Sequence, residues 1–152
     1  MKIYKTLILT QTDVAKLVTM PDAIRAVEIA FREYGKGRTQ MPAKIYLHLP
    51  QYNGDFRAMP GYVESLKKCA LKWVNVHPQN KRYGLPSIMA IIILSDPRNG
   101  FPLAIMDGTL ATNLRTGAAG GIAAKYLARK DSKILGMVGS GVQARMQLLA
   151  LQ

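Results

Sequence analysis

The chain has 152 residues, of which 49% are apolar and 20% are charged, so its length and composition suit one globular domain and argue against disorder. It carries 21 Lys and Arg against 9 Asp and Glu, a net charge of +12. That excess fits either a polyanion-binding surface or a small-anion pocket in a fragment of a larger, more neutral protein.

The pattern of the basic residues argues against nucleic acid, and other features argue against membrane, disulfide and metal chemistry. Lys and Arg are scattered, with no basic run, no RNP-like aromatic motif and no zinc-finger spacing, so we expect no nucleic-acid partner. The longest apolar run, residues 88–94, is far shorter than the ~20 residues that span a bilayer. The first residues are too briefly apolar for a secretory signal, so we expect a cytoplasmic protein with no membrane partner. The chain has one cysteine, Cys69, and two histidines, so we expect no intrachain disulfide and no metal site.

The first part of the chain predicts a short strand and two helices. Residues 4–9 are β-prone, and the polar residues 10–13 (TQTD) predict the start of a short helix. A second helix is predicted from Asp22, because apolar residues recur at helical spacing until Gly35 and Gly37; they are Ile24, Val27, Phe31 and Tyr34.

The middle of the chain predicts a meandering, mostly antiparallel sheet. Its β-like segments are residues 44–49, 56–59, 70–76, 88–94 and 102–106. In the first of these, apolar residues alternate with Lys44, Tyr46 and His48, which predicts two faces of different character. Turn signals separate the segments at Asn53-Gly54, at Pro60-Gly61 and at residues 96–100.

Residues 109–129 predict a helix that packs closely against another backbone. Apolar residues recur at near-helical spacing, and they include Leu114, Ala118, Ile122 and Leu127. The same segment contains Gly117, Gly120 and Gly121, each of which weakens a helix by roughly 1 kcal/mol relative to Ala. Three glycines in one helix therefore suggest a close approach of a neighbouring backbone.

Residues 134–144 have the order strand, glycine turn and helix that opens a dinucleotide-binding fold. After the apolar run 134–138, Gly139 permits a tight turn, Gly141 lets a pyrophosphate approach the backbone, and Ala144 allows close helix packing. The alternative is an ordinary glycine-rich turn. The acid that binds ribose is expected ~20 residues further on, whereas the sequence ends at Gln152, so we expect the chain to be the front part of a longer protein.

Several segments together resemble the ornithine cyclodeaminase/μ-crystallin family, and their sequences are most similar to its archaeal alanine dehydrogenase branch. They are MPAKIYL (41–47), FRAMP (56–60), LKWVNVHPQN (71–80), GLPSIMAIIIL (84–94), GFPLAIMDG (100–108) and NLRTGAAGGIAAKYLAR (113–129), followed by GSGVQA (139–144). The resemblance implies an α/β protein: an α+β substrate-binding and dimerisation domain over residues 1–130, then over residues 131–152 the first strand, glycine turn and partial helix of a Rossmann domain.

The same resemblance implies an NAD-dependent amino-acid oxidoreductase that forms a homodimer and takes a small amino-acid or keto-acid substrate. Oxidative deamination of L-alanine to pyruvate and ammonia is the favoured activity. The alternatives are an ornithine cyclodeaminase, a ketimine reductase and a non-catalytic, crystallin-like nucleotide-binding protein. The acid that is important for cyclodeamination would lie beyond Gln152, so the sequence leaves this choice open.

Chemistry and resemblance together select a cationic substrate site. Oxidation of an amino acid at Cα needs a cationic clamp for the carboxylate and a base near the amino group. Lys72 is the candidate acid/base, because burial and nearby cations would lower the pKa of its amine toward neutrality. Arg115 offers a planar fork for a carboxylate or a cofactor phosphate. Lys44 and Arg57 would bind the same carboxylate, although a strand Lys or Arg taken singly usually points to water.

The predicted cofactor site combines two hydroxyls with the glycine turn. By family position, Ser87 and Thr116 are candidate cofactor contacts, with a turn hydroxyl and a helix-start hydroxyl as the alternatives. The remaining candidates follow one another in the glycine turn: Gly139, Ser140, Gly141, Val142 and Gln143.

Overall fold

The computed structural model describes residues 4–152 and has a mixed α/β architecture, as the sequence predicts. The strands are β1 (Leu7–Leu9), β2 (Thr39–Gln40), β3 (Ile45–Leu49), β4 (Gly54–Val63), β5 (Lys68–Val76), β6 (Ile88–Ser95) and β7 (Pro102–Asp107). The α-helices are α1 (Gln11–Leu17), α2 (Met20–Gly35), α3 (Thr109–Leu127) and α4 (Val142–Leu151), and short 3₁₀ helices occupy Pro50–Tyr52 and Pro78–Tyr83.

The strands form one sheet in the order β1-β7-β6-β5-β4-β2, with β3 also paired to β4. Neighbouring strands from β4 to β7 run antiparallel, which confirms the predicted meander. β1 is the exception, because it pairs with β7 in parallel. The turn predicted at residues 96–100 does connect β6 to β7.

Capping boxes start the first two helices. The Thr10 hydroxyl accepts a hydrogen bond from the Asp13 amide, and the Asp13 carboxylate accepts one from the Thr10 amide. Thr19 and Asp22 repeat this arrangement, so α2 begins at Met20, two residues before the predicted start. In each case the box satisfies amide groups that have no partner inside the helix.

The turn predicted at Pro60-Gly61 is wrong, because both residues lie inside β4 opposite Leu71 and Ala70 of β5. On its other side β4 pairs with β3 over residues 54–58 and with β2 at residues 62–63. Pro60 lies in the gap between these pairings, where a strand tolerates a residue without an N–H.

The strand predicted over residues 134–138 is also absent: residues 132–140 are neither helix nor strand. Ile134 is 94% exposed, and none of β1–β7 pairs with this segment. An apolar run becomes a strand only where a neighbour takes up its backbone hydrogen bonds. The helix predicted after the glycine turn does form, as α4.

The predicted close approach of α3 to another backbone is confirmed, and the neighbour is α4. A Cβ added to Gly117 would lie 2.5 Å from the Met146 carbonyl oxygen, and one added to Gly121 would lie 2.6 Å from the Ala150 oxygen. α3 also packs against α2 around a buried cluster of Met20, Ala23, Leu114 and Ala118, and Met146 and Ala150 of α4 pack against the same cluster. No helix within residues 4–152 is long and apolar enough to cross a membrane.

Candidate functional site

Two of the four predicted cations, Arg57 and Lys72, share one face of the sheet, and a third, Lys44, directly precedes β3. Directly opposed residues of antiparallel strands lie on the same face, as do alternate residues of one strand. Tyr46 is opposite Arg57, and Arg57 is opposite Val74. Lys72 is two residues before Val74, and Lys44 is two residues before Tyr46. We call this side of the sheet the Lys72 face.

Helix α3 adds the fourth cation, Arg115, and burial together with all three other cations lowers the pKa of Lys72. Burial is the main cause that lowers the pKa of Lys72 from 10.5 to about 8, and the positive charges of Arg115, Lys44 and Arg57 lower it further. The prediction that burial and crowding bring this pKa toward neutrality is confirmed. The structure therefore gathers residues separated by more than 70 positions into one electropositive group, called here the cation group.

Arg57 is held by two neighbours on the same face. Its Nε donates to Asp55 Oδ1 at 2.7 Å and its Nη2 donates to Asp55 Oδ2 at 3.0 Å. The Tyr46 ring lies against the guanidinium, with its centroid 5.1 Å from Arg57 Cζ. These contacts lower the pKa of the Asp55 carboxyl and raise that of Arg57, the side-chain hydrogen bonds being the largest cause in each.

Asp55 is a site residue beyond those predicted from the sequence, although the sequence contains a signal for it. Residues two apart on a strand share a face, so an acid two positions before Arg57 on a β-like segment is placed to pair with it. Tyr46 was noted only as part of an alternating pattern. Its contact with Arg57 follows from the register between β3 and β4.

Arg115 belongs to the cation group and lies on α3, the helix that also contacts the start of α4. Partial burial lowers the pKa of the Arg115 guanidinium below its usual value, and part of its surface stays exposed. Two residues earlier on α3, Asn113 Oδ1 accepts a hydrogen bond from Gln143 Nε2 at 3.3 Å, directly after the glycine turn. The exposed Arg115 guanidinium is a candidate contact for a substrate carboxylate or a cofactor phosphate.

The two residues with candidate hydroxyls both make local hydrogen bonds, Thr116 through its hydroxyl and Ser87 through its backbone carbonyl. Thr116 Oγ1 donates to the Thr112 carbonyl at 2.7 Å, the back-bond of a helical threonine. Ser87 is exposed just before β6, and its carbonyl accepts from the His77 amide at 2.8 Å. The adjoining strand pair ends at Val76 and Ile88, four residues along β5 from Lys72 and therefore about 13 Å away. Ser87 lies at the sheet edge and not within the cation group.

The glycine turn has the properties that a dinucleotide pyrophosphate needs. Gly139 has φ +98°, which favours glycine, and a Cβ added to Gly141 would meet nothing within 4 Å. Gly141 is the N-cap of α4, so the first amides of that helix, at residues 142–144, have no partner within it. Exposed free amides at the positive end of a helix bind anions. Ser140 and Val142 are exposed in the same turn.

Other chemistry is not indicated by the described part of the chain. Residues 4–152 contain no cluster of three or more His, Cys, Asp or Glu side chains that could hold a metal ion. Asp107 accepts a hydrogen bond from the Leu110 amide at the start of α3, a helix-entry role. His77 contacts Asn75 Nδ2 at 3.0 Å and packs against Phe56.

The chain is similar to members of one protein family along nearly its full length. The sequence model of the ornithine cyclodeaminase/mu-crystallin family matches residues 4–152. The alanine dehydrogenase of Archaeoglobus fulgidus is 55% identical over 148 residues, covering 97% of this chain and 45% of that protein. The chain thus spans less than half the length of this relative.

Solved structures show the same likeness. An archaeal alanine dehydrogenase dimer with bound NAD is 56% identical, with a TM-score of 0.91 over 96% of this chain and 44% of that one. The Thermococcus litoralis Δ(1)-pyrroline-2-carboxylate reductase, solved with NADH and L-proline, is 47% identical, with a TM-score of 0.92 over 96% and 45%.

Proposed function

Because the chain belongs to the ornithine cyclodeaminase/mu-crystallin family, we propose that it forms the substrate-binding part of an NAD-dependent oxidoreductase that converts L-alanine to pyruvate and ammonia. The observation that carries this proposal is the cation group around the half-buried Lys72. Residues 1–130 would bind substrate, and residues 131–152 would begin the NAD-binding domain. Identities of 55% and 56% to alanine dehydrogenases favour this activity over the others in the family.

The cation group would orient the amino acid by its carboxylate. Arg115 would bind that carboxylate through its planar fork, and Lys44 and Arg57 would add positive charge on the other side. Fixing the carboxylate in this way presents Cα and the amino group to Lys72, and such orientation lowers the barrier by holding the reacting atoms in place.

Lys72 would move the protons of the reaction. With a pKa of about 8, roughly a tenth of its amines are neutral at pH 7. The neutral Nζ accepts a proton from the substrate ammonium, which leaves an amine able to become an imine. After it has released that proton, Nζ accepts one from the water that attacks the imine carbon. The protonated Nζ then gives its proton to the carbinolamine nitrogen, and ammonia leaves while the hydroxyl proton passes to Nζ and the carbonyl of pyruvate forms.

NAD, when bound, supplies the acceptor for the hydride that leaves Cα. The residues that would hold its pyrophosphate are Gly139, Ser140, Gly141, Val142 and Gln143, through the turn and the free amides of α4. Arg115 is a further candidate contact for a phosphate, and Ser87 and Thr116 remain predicted contacts on the cofactor side.

The substrate assignment is tested by a panel of amino acids. The intact protein is supplied with NAD and with L-alanine, L-ornithine or L-proline, and NADH absorbance and product chromatography are followed. We expect NADH and pyruvate from L-alanine. We expect little proline from L-ornithine, because its second ammonium would enter a site where the identified carboxylate, Asp55, is already paired with Arg57.

Two results would replace this assignment. Proline formed from L-ornithine without net NADH would indicate a cyclodeaminase. NADH formed from L-proline and not from L-alanine would indicate a pyrroline-carboxylate reductase, the second candidate, which the 47% identity to the Thermococcus litoralis enzyme favours. If none of the three amino acids reacts in the presence of NAD, the oxidoreductase proposal fails.

We also infer that the chain forms a homodimer through the side of the sheet opposite the Lys72 face. Ile45, Ala58, Trp73 and Ile91 lie opposite one another across four strands on that side. Ile45 is 68% exposed, Trp73 37% and Ile91 45%. Monomeric proteins rarely leave such a contiguous apolar patch in water, and the archaeal alanine dehydrogenase with 56% identity is a dimer. A second copy of the chain is therefore the occupant that we propose.

A further inference from the structure

The Asp55–Arg57 pair has a geometry that determines which edge of the guanidinium can reach a ligand. Arg57 Nε and Nη2 both donate to the carboxylate, at 2.7 and 3.0 Å, so Asp55 occupies the Nε/Nη2 edge of the guanidinium. Of the five N–H donors of an arginine, this pairing uses two. Three donors remain, two on Nη1 and one on Nη2, and of these the Nη2 hydrogen and one Nη1 hydrogen form the end-on edge of the guanidinium.

We propose that Asp55 is a positioning residue that holds Arg57 so that only its end-on Nη1/Nη2 edge faces the substrate carboxylate. This inference rests on the proposed function of the Lys72 face. Asp55 does not contact the substrate itself. It acts through Arg57, and it offsets one positive charge of the cation group.

Partial burial and a second contact make the arrangement rigid. The side chain of Asp55 is 17% exposed and that of Arg57 is 28% exposed, so the pair is shielded from water on most sides. The Tyr46 ring closes one face of the guanidinium. An arginine that is already fixed loses less conformational entropy when it binds a ligand than a free one does.

The other charged groups near Asp55 favour its ionised state. His48 lies directly opposite Asp55 on β3, and His77 approaches it from the end of β5. The pKa of Asp55 is lowered first by its hydrogen bonds from Arg57, and the charges of Arg57, His48 and His77 act in the same direction. The carboxylate therefore stays charged, and paired, at neutral pH.

A second pair in the chain provides an internal comparison. Asp96 and Arg98 have the same spacing and the same double hydrogen bond, at 3.0 Å from Nε and 2.7 Å from Nη2. They lie in the turn between β6 and β7, and the side chain of Arg98 is 82% exposed. The pairing is thus the same while the surroundings differ, so Asp96 serves as a matched control.

The kinetic experiment uses Asp55→Asn and Asp96→Asn in the intact protein. For Asp55→Asn we expect the KM for the amino acid to rise about tenfold, because a charge-assisted hydrogen bond that positions Arg57 is lost. The kcat and the KM for NAD should change much less. Asp55→Glu retains the carboxylate and should recover part of the lost affinity, whereas Asp96→Asn should behave as wild type.

A second measurement is independent of turnover. The NMR signal of the Arg57 Nε–H should exchange slowly with water in the wild type and quickly in Asp55→Asn, with an unchanged circular dichroism spectrum. Slow exchange in both proteins, or an amino-acid KM within twofold of wild type in Asp55→Asn, would overturn the inference. If the wild type oxidises no amino acid, the proposed function fails, and the exchange rate still decides whether Asp55 fixes Arg57.

Discussion

Replacing Lys72 with Met should stabilise the protein at neutral pH and at the same time abolish turnover. Folding places a charged ammonium in a half-buried position, where burial and the charges of Arg115, Lys44 and Arg57 lower its pKa from 10.5 to about 8. Met has a similar length and no charge. The substitution therefore removes an electrostatic cost while it removes the proposed acid/base.

The size and sign of the change in stability on Lys72→Met follow from the lowered pKa of Lys72. A fall from 10.5 to about 8 corresponds to a penalty of about 3 kcal/mol on the charged form in the folded state. Below pH 8 the side chain is protonated in both folded and unfolded states, and the full penalty is present. Between about pH 8 and pH 10.5 the unfolded chain binds more protons than the folded one, so the stability of the wild type rises with pH. Above pH 10.5 the penalty disappears.

Urea denaturation at pH 7 and at pH 10 measures this difference. At pH 7, Lys72→Met should have a free energy of unfolding higher than wild type by up to about 3 kcal/mol, and the gap should narrow at pH 10. Lys68→Met is the matched control, because Lys68 is exposed at the start of the same strand, and it should change stability little.

Activity and binding complete the test of Lys72. NADH formation from L-alanine should be lost in Lys72→Met, while NAD binding measured by calorimetry should be largely retained. The reasoning would be refuted if Lys72→Met were less stable than wild type at pH 7, or if the stability difference did not depend on pH. Near-normal turnover would remove Lys72 from the mechanism.

Two further predictions concern packing and assembly. Gly121→Ala should destabilise the protein by about 1–3 kcal/mol, because the added Cβ would lie 2.6 Å from the Ala150 carbonyl oxygen. Gly120→Ala should destabilise it less, because the nearest neighbour there is the flexible side chain of Gln147, 3.0 Å away. Thermal denaturation of both variants measures the difference, and equal effects would contradict the prediction. Ile91→Glu should shift the protein to a monomer in analytical ultracentrifugation, since it places a charge on the proposed dimer face, while Phe31→Glu, also at an exposed position, should leave the dimer intact. A dimer that persists in Ile91→Glu would exclude this face.

Local sequence patterns were sufficient to predict most of the elements. Helical spacing of apolar residues predicts α2 and α3, and alternation with turn residues predicts the strands from β3 to β7. The three glycines of α3 predict its close packing, because a glycine in a helix is costly unless a neighbour needs the space. The resemblance to a family was also readable, since it rests on short motifs in a fixed order.

Long-range pairing decided what the local patterns could not. Pro60 and Gly61 have the chemistry of a turn, yet they lie inside β4 because β5 pairs along one side and a gap between β2 and β3 accommodates the proline. The run 134–138 has the composition of a strand, yet it is not one because no neighbouring strand pairs with it. A strand forms only when a second segment takes up its backbone hydrogen bonds, so the sequence of one segment alone does not determine whether it becomes a strand.

The candidate site likewise combines features that the sequence predicts with features that only the tertiary structure determines. The residue types of Lys72 and Arg115 and the motifs around them mark these positions as candidates, and they predict a lowered pKa in general terms. Only the register of β3, β4 and β5, with α3 packed against the sheet, brings the cations close enough to act on one another. The side chains of Asp55 and Arg57 pair because they lie two residues apart on β4, whereas the register between β3 and β4 places Tyr46 against Arg57. Electrostatic interactions depend on distances through space, and those distances are set by tertiary pairing and not by spacing along the chain.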